Sequence, residues 1–195
     1  MKVGVLALQG AFAEHITMLN QLGVEAVEVR LPEQLAEIDG LIIPGGESTT
    51  IGKLAVMYNF MEPLKAFSDA KPVWGTCAGM IFMAKEIGMD QPLLGVMDIV
   101  VERNAFGRQV DSFEVNLQIG QFGNGSSEPF PAVFIRAPKL VEAKADTQVI
   151  AKLNDGTAVA AKQGHLLVTS FHPELTNDNR FHQLFIQLIE EKMAS

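Results

Sequence analysis

The chain has 195 residues, 48% of them hydrophobic and 19% charged, with a formal net charge of −8. That length suits a single domain spanning 1–195 with a full core, and the acidic balance argues against nucleic acid or an anionic membrane as the main partner. One cysteine excludes an internal disulfide and fits a reducing, cytoplasmic setting; no apolar run approaches the length of a membrane span, and Val3–Leu8 is too short for a signal peptide.

Short apolar runs alternate with helical periodicity, which predicts an α/β fold with a mostly parallel sheet. Val3–Leu8 reads as a buried first strand, and Phe12, Ile16, Leu19 and Leu22 mark one face of the helix that follows. Val24–Val29 is the second strand and Gly40–Ile43 the third, ending at Pro44-Gly45-Gly46. Helical material fills Ser48–Phe67, with Pro63 opening a new helical turn. A fourth strand, Val73-Trp74, leads into Gly75-Thr76-Cys77-Ala78-Gly79 and another helix. From Leu93 to Phe171 the texture changes to strand-like runs at Ile99–Glu102, Ser112–Gln118, Ala132–Ile135, Val149–Leu153, Ala158–Ala161 and Leu166–Phe171. Within it, Gly120–Glu128 reads as a surface loop and Asn154-Asp155-Gly156 as a hairpin turn. The last helix, about Asp178–Met193, repeats apolar residues at Phe181, Leu184, Phe185, Leu188 and Ile189 and should lie flat on the sheet.

The chemistry starts at Cys77. Strand, tight turn and helix with a thiol at the apex make a nucleophile elbow of the form Gly-x-Cys-x-Gly. The glycines are expected to permit the strained turn and a close helix–strand approach, and a helix N-terminus favours a thiolate. A lone cysteine after a strand is more often a buried structural residue, so a general base is needed. His15 and His182 fall on helices and read most simply as solvated or boundary residues; His165 follows Gly164 at a turn. His172 differs, because it ends an apolar strand and begins His172-Pro173-Glu174. A residue before proline is pushed to extended backbone, where residues i and i+2 share a side, so Glu174 can orient the His172 imidazole. For the tripeptide alone, a proline-terminated strand with two solvated groups is slightly favoured. An elbow cysteine 95 residues upstream makes the Cys–His–Glu triad the stronger reading.

Pro44-Gly45-Gly46-Glu47-Ser48 follows the third strand and so lies at the carboxyl edge of the sheet, where α/β proteins bind ligands. A Gly46 N–H there, paired with that of Ala78, suits an oxyanion. Ser48 is also placed to N-cap the next helix. The stretch from Gly46 to Gly52-Lys53 is not a phosphate loop, since its spacing is one residue too long and Leu54 replaces the Ser/Thr. Arg103 and Arg136 each interrupt or end an apolar strand and suit a carboxylate; Arg108 is a weaker candidate, and an arginine head in water is the common alternative. Gln9-Gly10 reaches the same edge of the sheet.

These motifs together resemble the class I glutamine amidotransferases, a flavodoxin-like three-layer fold with additional antiparallel strands in the C-terminal half. More narrowly, the chain is similar to the glutaminase-subunit family of pyridoxal 5′-phosphate synthase. That likeness rests on Leu8-Gln9-Gly10, Gly45-Gly46-Glu47-Ser48-Thr49, the stretch Val101–Glu114, Phe134–Pro138 and Ala160–Gly164. The resemblance implies hydrolysis of L-glutamine to glutamate and ammonia through a glutamyl thioester, with Cys77 as nucleophile and His172 and Glu174 completing the triad. It implies glutamine contacts at Gly46, Glu47, Ser48, Arg103, Ile135 and Arg136. It further implies a separate synthase subunit, a (β/α)8 barrel with a dodecameric core, as the acceptor of ammonia, and neither cofactor nor metal in this chain. A glutaminase subunit of another amidotransferase, or a stress-response protein with an elbow cysteine, are the rival readings.

Overall fold

The computed structural model describes residues 1–103, 112–120, 122 and 128–195. Arg108, most of the segment around it and the greater part of the Gly120–Glu128 loop lie outside the described residues.

Among the described residues, strands β1 (Lys2–Leu6), β2 (Glu25–Val29), β3 (Gly40–Ile43), β4 (Val73–Thr76), β5 (Ala84–Glu86), β6 (Met97–Glu102), β7 (Ser112–Leu117), β8 (Phe130–Ile135), β9 (Lys139–Ala143), β10 (Gln148–Lys152), β11 (Ala158–Gln163) and β12 (Leu166–Thr169) are accompanied by five helices. The helices are α1 (Phe12–Gln21), α2 (Ser48–Met57), α3 (Met61–Ala70), α4 (Ala78–Met83) and α5 (Arg180–Met193). Short 3-10 helices form at Pro32–Glu37 and Pro173–Leu175.

The main sheet runs β2-β1-β3-β4-β12-β11-β9-β6-β5, with β10 paired to β11. From β2 to β12 every pairing is parallel; from β12 through β11 and β9 to β6 every pairing is antiparallel. The sequence expectation of a parallel sheet with added antiparallel strands holds. Strands β5 and β9 went unpredicted. In β9 only Leu140 is buried, while Val141 points to solvent, so the run lacks the signature of a core strand.

Adjacent residues of the parallel strands divide between two cores, as a pleated strand requires. Leu41, Ile43, Val73 and Val168 pack against α2, α3 and α4 through Ile51, Ala55, Leu64, Phe67 and Met80. Their neighbours Ile42, Trp74 and Leu167 pack on the other face against Leu19 of α1 and Phe181, Phe185, Leu188 and Ile189 of α5. The result is three layers, helices over sheet over helices. The helical stretch expected over Ser48–Phe67 is two helices. Asn59, at φ 59°, separates them, and Pro63 falls in the first turn of α3, where its missing N–H costs nothing.

Parallel pairing decides where function sits. Strands β1, β3, β4 and β12 point the same way, so the residues after them share one edge of the sheet. Those residues are Gln9, Gly45–Ser48, Cys77 and His172. The β7–β8 ribbon is a separate two-stranded sheet, and the His172 N–H donates to Val133 O (2.8 Å), which pins β8 beside that edge.

Candidate active site

At the tip of β4, Cys77 adopts φ 48° and ψ −103°. A non-glycine residue held there stores roughly 1–3 kcal/mol of backbone strain. Its N–H donates to Thr169 O (2.8 Å), tying the turn to the end of β12. The strain therefore sits on the cysteine and not on the flanking glycines, which serve close approach alone. A Cβ on Gly79 would collide with the carbonyl oxygen of Ile43, and one on Gly75 would lie 2.6 Å from the Gly79 carbonyl carbon.

His172 Nδ1 and Glu174 Oε1 are 2.7 Å apart, and both residues are buried. The pairing arises differently from the extended-strand expectation. Pro173–Leu175 forms one turn of 3-10 helix, closed by the Leu175 N–H donating to His172 O (3.2 Å), and that turn folds Glu174 back under the ring. Burial opposes a charge on His172, but hydrogen bonds to Cys77 and Glu174 and the negative charge of both outweigh it, raising its pKa to about 10. A proton so held on the imidazole is what a thiolate partner needs. Gly45 makes room for the ring: a Cβ there would lie 3.0 Å from His172 Nδ1 and 3.4 Å from Cys77 Cβ.

Cys77 and His172 open onto a cleft of about 410 Å³, whose walls include Gly46, Glu47, Ser48, Ala78, Arg103, Ile135 and Arg136. The cleft thus gathers Cys77, Ala78 and His172 with all six residues expected to contact glutamine, while Glu174 lies behind His172 and supports it from beneath. Gln9 also lines the cleft, and its Oε1 accepts the Glu47 N–H (2.8 Å). The Ile135 carbonyl faces Cys77 Sγ at 3.9 Å, and Arg136 follows in the left-handed region at φ 42°.

Two local assignments change. The N-cap of α2 is Glu47 and not Ser48: the Glu47 carboxylate accepts the N–H groups of Thr49 (3.1 Å) and Thr50 (2.7 Å) and the Thr50 hydroxyl (2.6 Å). The Thr50 hydroxyl is the largest of the causes that hold the Glu47 pKa down at about 2. His15 and His182, expected on solvated or boundary faces, are both fully buried.

One site residue had no sequence signal. Gln91 Oε1 accepts from Arg103 Nη1 (2.8 Å) and the Thr49 hydroxyl (3.0 Å), while Arg103 Nη2 reaches Glu47 Oε1 (3.3 Å). The loop that carries Gln91 lies on α2 because Gly52, the glycine of the rejected phosphate loop, lacks a Cβ that would strike Pro92. Arg103 is therefore held at the cleft wall by the N-terminal turn of α2 and the Gln91 loop together.

A thiol on a strained turn, a buried His–Glu pair behind it and a cleft edged by arginines are the parts of an amide-cleaving thiol site. A family model described as the SNO glutamine amidotransferase family matches residues 5–191. The chain belongs to that family. A pyridoxal 5′-phosphate synthase subunit PdxT of Herpetosiphon aurantiacus is 58% identical over 193 residues, covering 96% of this chain and 100% of the relative. One of Carboxydothermus hydrogenoformans is also 58% identical, over 97% of this chain and 98% of the relative. A crystal structure of a glutamine amidotransferase superposes with a TM-score of 0.90 at 48% identity, covering 96% of this chain and 98% of that one. PurLQS from Thermotoga maritima shares the fold at a TM-score of 0.74 and 16% identity, over 95% of this chain and 97% of that one. Among the described residues, no helix of this family member is long and apolar enough to cross a membrane.

Proposed function

We propose that the chain is one glutaminase domain, the glutaminase subunit of a pyridoxal 5′-phosphate synthase, hydrolysing L-glutamine to L-glutamate and ammonia. The observation that carries this reading is the buried His172–Glu174 pair (2.7 Å) set against a strained Cys77 at the floor of the cleft. Relatives named as pyridoxal 5′-phosphate synthase subunit PdxT at 55–58% identity over nearly the whole chain, and the glutamine amidotransferase family model over residues 5–191, support the reading.

In this mechanism glutamine enters the cleft with its α-carboxylate toward Arg103 and Arg136 and its side chain toward Cys77. Gly46, Glu47, Ser48 and Ile135 complete the contacts. The thiolate attacks the carboxamide carbon, and the oxyanion collects at the N–H groups of Gly46 and Ala78. Imidazolium His172 gives its proton to the departing ammonia, which leaves a glutamyl thioester on Cys77. Neutral His172 then takes a proton from water, the resulting hydroxide adds to the thioester, and glutamate leaves as the thiolate returns. Glu174 steadies the imidazolium throughout and does not react.

Ammonia released into neutral water becomes ammonium, which is no nucleophile, so a shielded path to a synthase subunit is part of the proposal. The (β/α)8 barrel of a dodecameric core is the partner that the family resemblance suggests, and the cytoplasm suits a chain that works with one free thiol. The test is glutamate release from glutamine by the parent chain and by Cys77→Ala, each with and without the synthase subunit. Release by the parent, increased by the synthase and lost in Cys77→Ala, is expected. No release in any combination overturns the glutaminase reading, and release that ignores the synthase points to a sister amidotransferase.

A further inference from the structure

Behind the triad lies a set of polar groups that the mechanism above does not use. Glu174 spends Oε1 on His172; its Oε2 is buried and lacks a full hydrogen bond. The group that faces Oε2 is His15 Nε2 of α1, 3.4 Å away. His15 Nδ1 lies 2.9 Å from His182 Nε2 of α5, and His182 Nδ1 is buried with no partner among the described residues. The Thr76 hydroxyl, next to the nucleophile, is 3.3 Å from His15 Nε2. Trp74 closes the set edge-on, its ring 5.6 Å from that of His15 and 5.0 Å from that of His182. Two fully buried histidines in a dry aromatic pocket are costly to keep unless they do something.

Their proton positions follow from the ends of the chain of contacts. Burial, then the charges of His182 and His172, drive the His15 pKa well below 6.5, and burial drives that of His182 to about 3. Both rings are therefore neutral, and each carries one proton. If His15 held its proton on Nδ1, a lone pair on Nε2 would face the Glu174 carboxylate, and His182 would carry an unsatisfied N–H on Nδ1. With the proton on Nε2, His15 offers a donor to Oε2, its Nδ1 accepts from His182 Nε2–H, and only a weakly demanding lone pair on His182 Nδ1 is left over. The second arrangement satisfies more groups at both ends.

We propose that His15, locked as the Nε2–H tautomer by His182, is a positioning residue for the triad: it holds the rear oxygen of Glu174 so that the front oxygen stays aimed at His172. The proposal deepens the glutaminase reading and rests on it. His15 touches neither glutamine nor the thiol and acts through Glu174. The titratable groups facing Glu174 are His172 on its own turn and His15 from α1; those facing His15 are Glu174, His182 from α5 and, at longer range, His172.

The test combines kinetics and spectroscopy on the complex with the synthase subunit. His15→Phe keeps the ring and removes the donor; His15→Gln returns an amide N–H near the place of Nε2. For His15→Phe we expect kcat for glutamate release to fall roughly tenfold to a hundredfold with KM nearly unchanged. The alkaline limb of the kcat/KM profile should move to lower pH, since a carboxylate no longer held against His172 supports the imidazolium less. His15→Gln should recover most of the rate and the profile. In the parent chain, nitrogen-15 correlation of the histidine rings should show His15 as Nε2–H from pH 6 to pH 8. A His15→Phe enzyme with parental kcat and an unmoved alkaline limb overturns the proposal, as does an Nδ1–H tautomer. Equal losses in Phe and Gln variants that follow a fall in melting temperature also overturn it, leaving His15 a core residue. If the parent complex releases no glutamate, the glutaminase reading has failed, and the tautomer alone then decides the arrangement behind Glu174.

Discussion

The two oxygens of Glu174 face opposite surroundings. On the cleft side, His172 is buried yet holds its proton, with a pKa raised to about 10. On the far side, His15 and His182 are buried and stay neutral. Burial pushes all three downward; what differs is the company. His172 has the sulfur and one carboxylate oxygen within hydrogen-bond reach; His15 lies 3.4 Å from the other oxygen but packs against a second histidine, and His182 faces His15 and aromatic rings. Burial opposes a charge, then, and contact with an opposite charge can reverse the outcome. One carboxylate separates a charged His172 from two buried, neutral histidines.

The sharpest way to break this comparison is to remove the charge that makes the front half special. Cys77→Ala should lower glutamate release by about 10⁴-fold or more in the synthase complex, because no other group on the cleft can form the thioester. Glu174→Gln comes next. It leaves the shape intact but takes away the charge that steadies imidazolium His172, and kcat should drop roughly 10²- to 10³-fold with little change in KM. Arg103 lines the cleft away from the His172–Glu174 pair, and under the proposed placement of the α-carboxylate Arg103→Ala should raise KM roughly 10- to 100-fold while kcat moves less. Initial-rate measurements over a range of glutamine concentrations read all three.

The rear half is probed through stability. A histidine neutral in the fold but titrating near 6.5 when unfolded gives the unfolded chain more protons as pH falls below 6.5. Each such residue then lowers stability by about 1.4 kcal/mol per pH unit, down to its folded pKa, which for His182 is about 3. Urea unfolding at pH 5 and pH 7 should show the loss, and His182→Phe should lose less between the two pH values than the parent. Equal losses would mean that His182 is already charged at pH 5 in the folded protein.

Most of the front half was legible in the sequence because buried parallel strands leave apolar runs, and the residues that end them are all brought to one edge. Val3–Leu8, Gly40–Ile43, Val73-Trp74 and Leu166–Phe171 each announced a strand, and Gln9, Gly45–Ser48, Cys77 and His172 follow them. The rear half was misread, although the helical spacing held a signal. His15 precedes Leu19 by four residues and His182 precedes Phe185 by three, so each shares the core-facing side of its helix. Polar character outweighed position in that reading. Gln91 left no signal, because tertiary contacts, the Gly52–Pro92 approach and bonds to Thr49 and Arg103, set its loop on α2 and no local pattern does. The Glu174 turn was reached by a wrong route to the right neighbour: proline set the residue before it, but a 3-10 turn and not an extended strand places the carboxylate.

The account stands most directly on what bonds to Cys77. The synthase complex can be exposed to a glutamine analogue with an electrophilic ketone in place of the carboxamide, digested, and mapped by mass spectrometry. The account predicts one adduct, on the peptide that carries Cys77, forming in step with loss of glutaminase activity and slowed by glutamine. Full loss of activity with the label elsewhere, or glutamate release by Cys77→Ala at the parental rate, would contradict it.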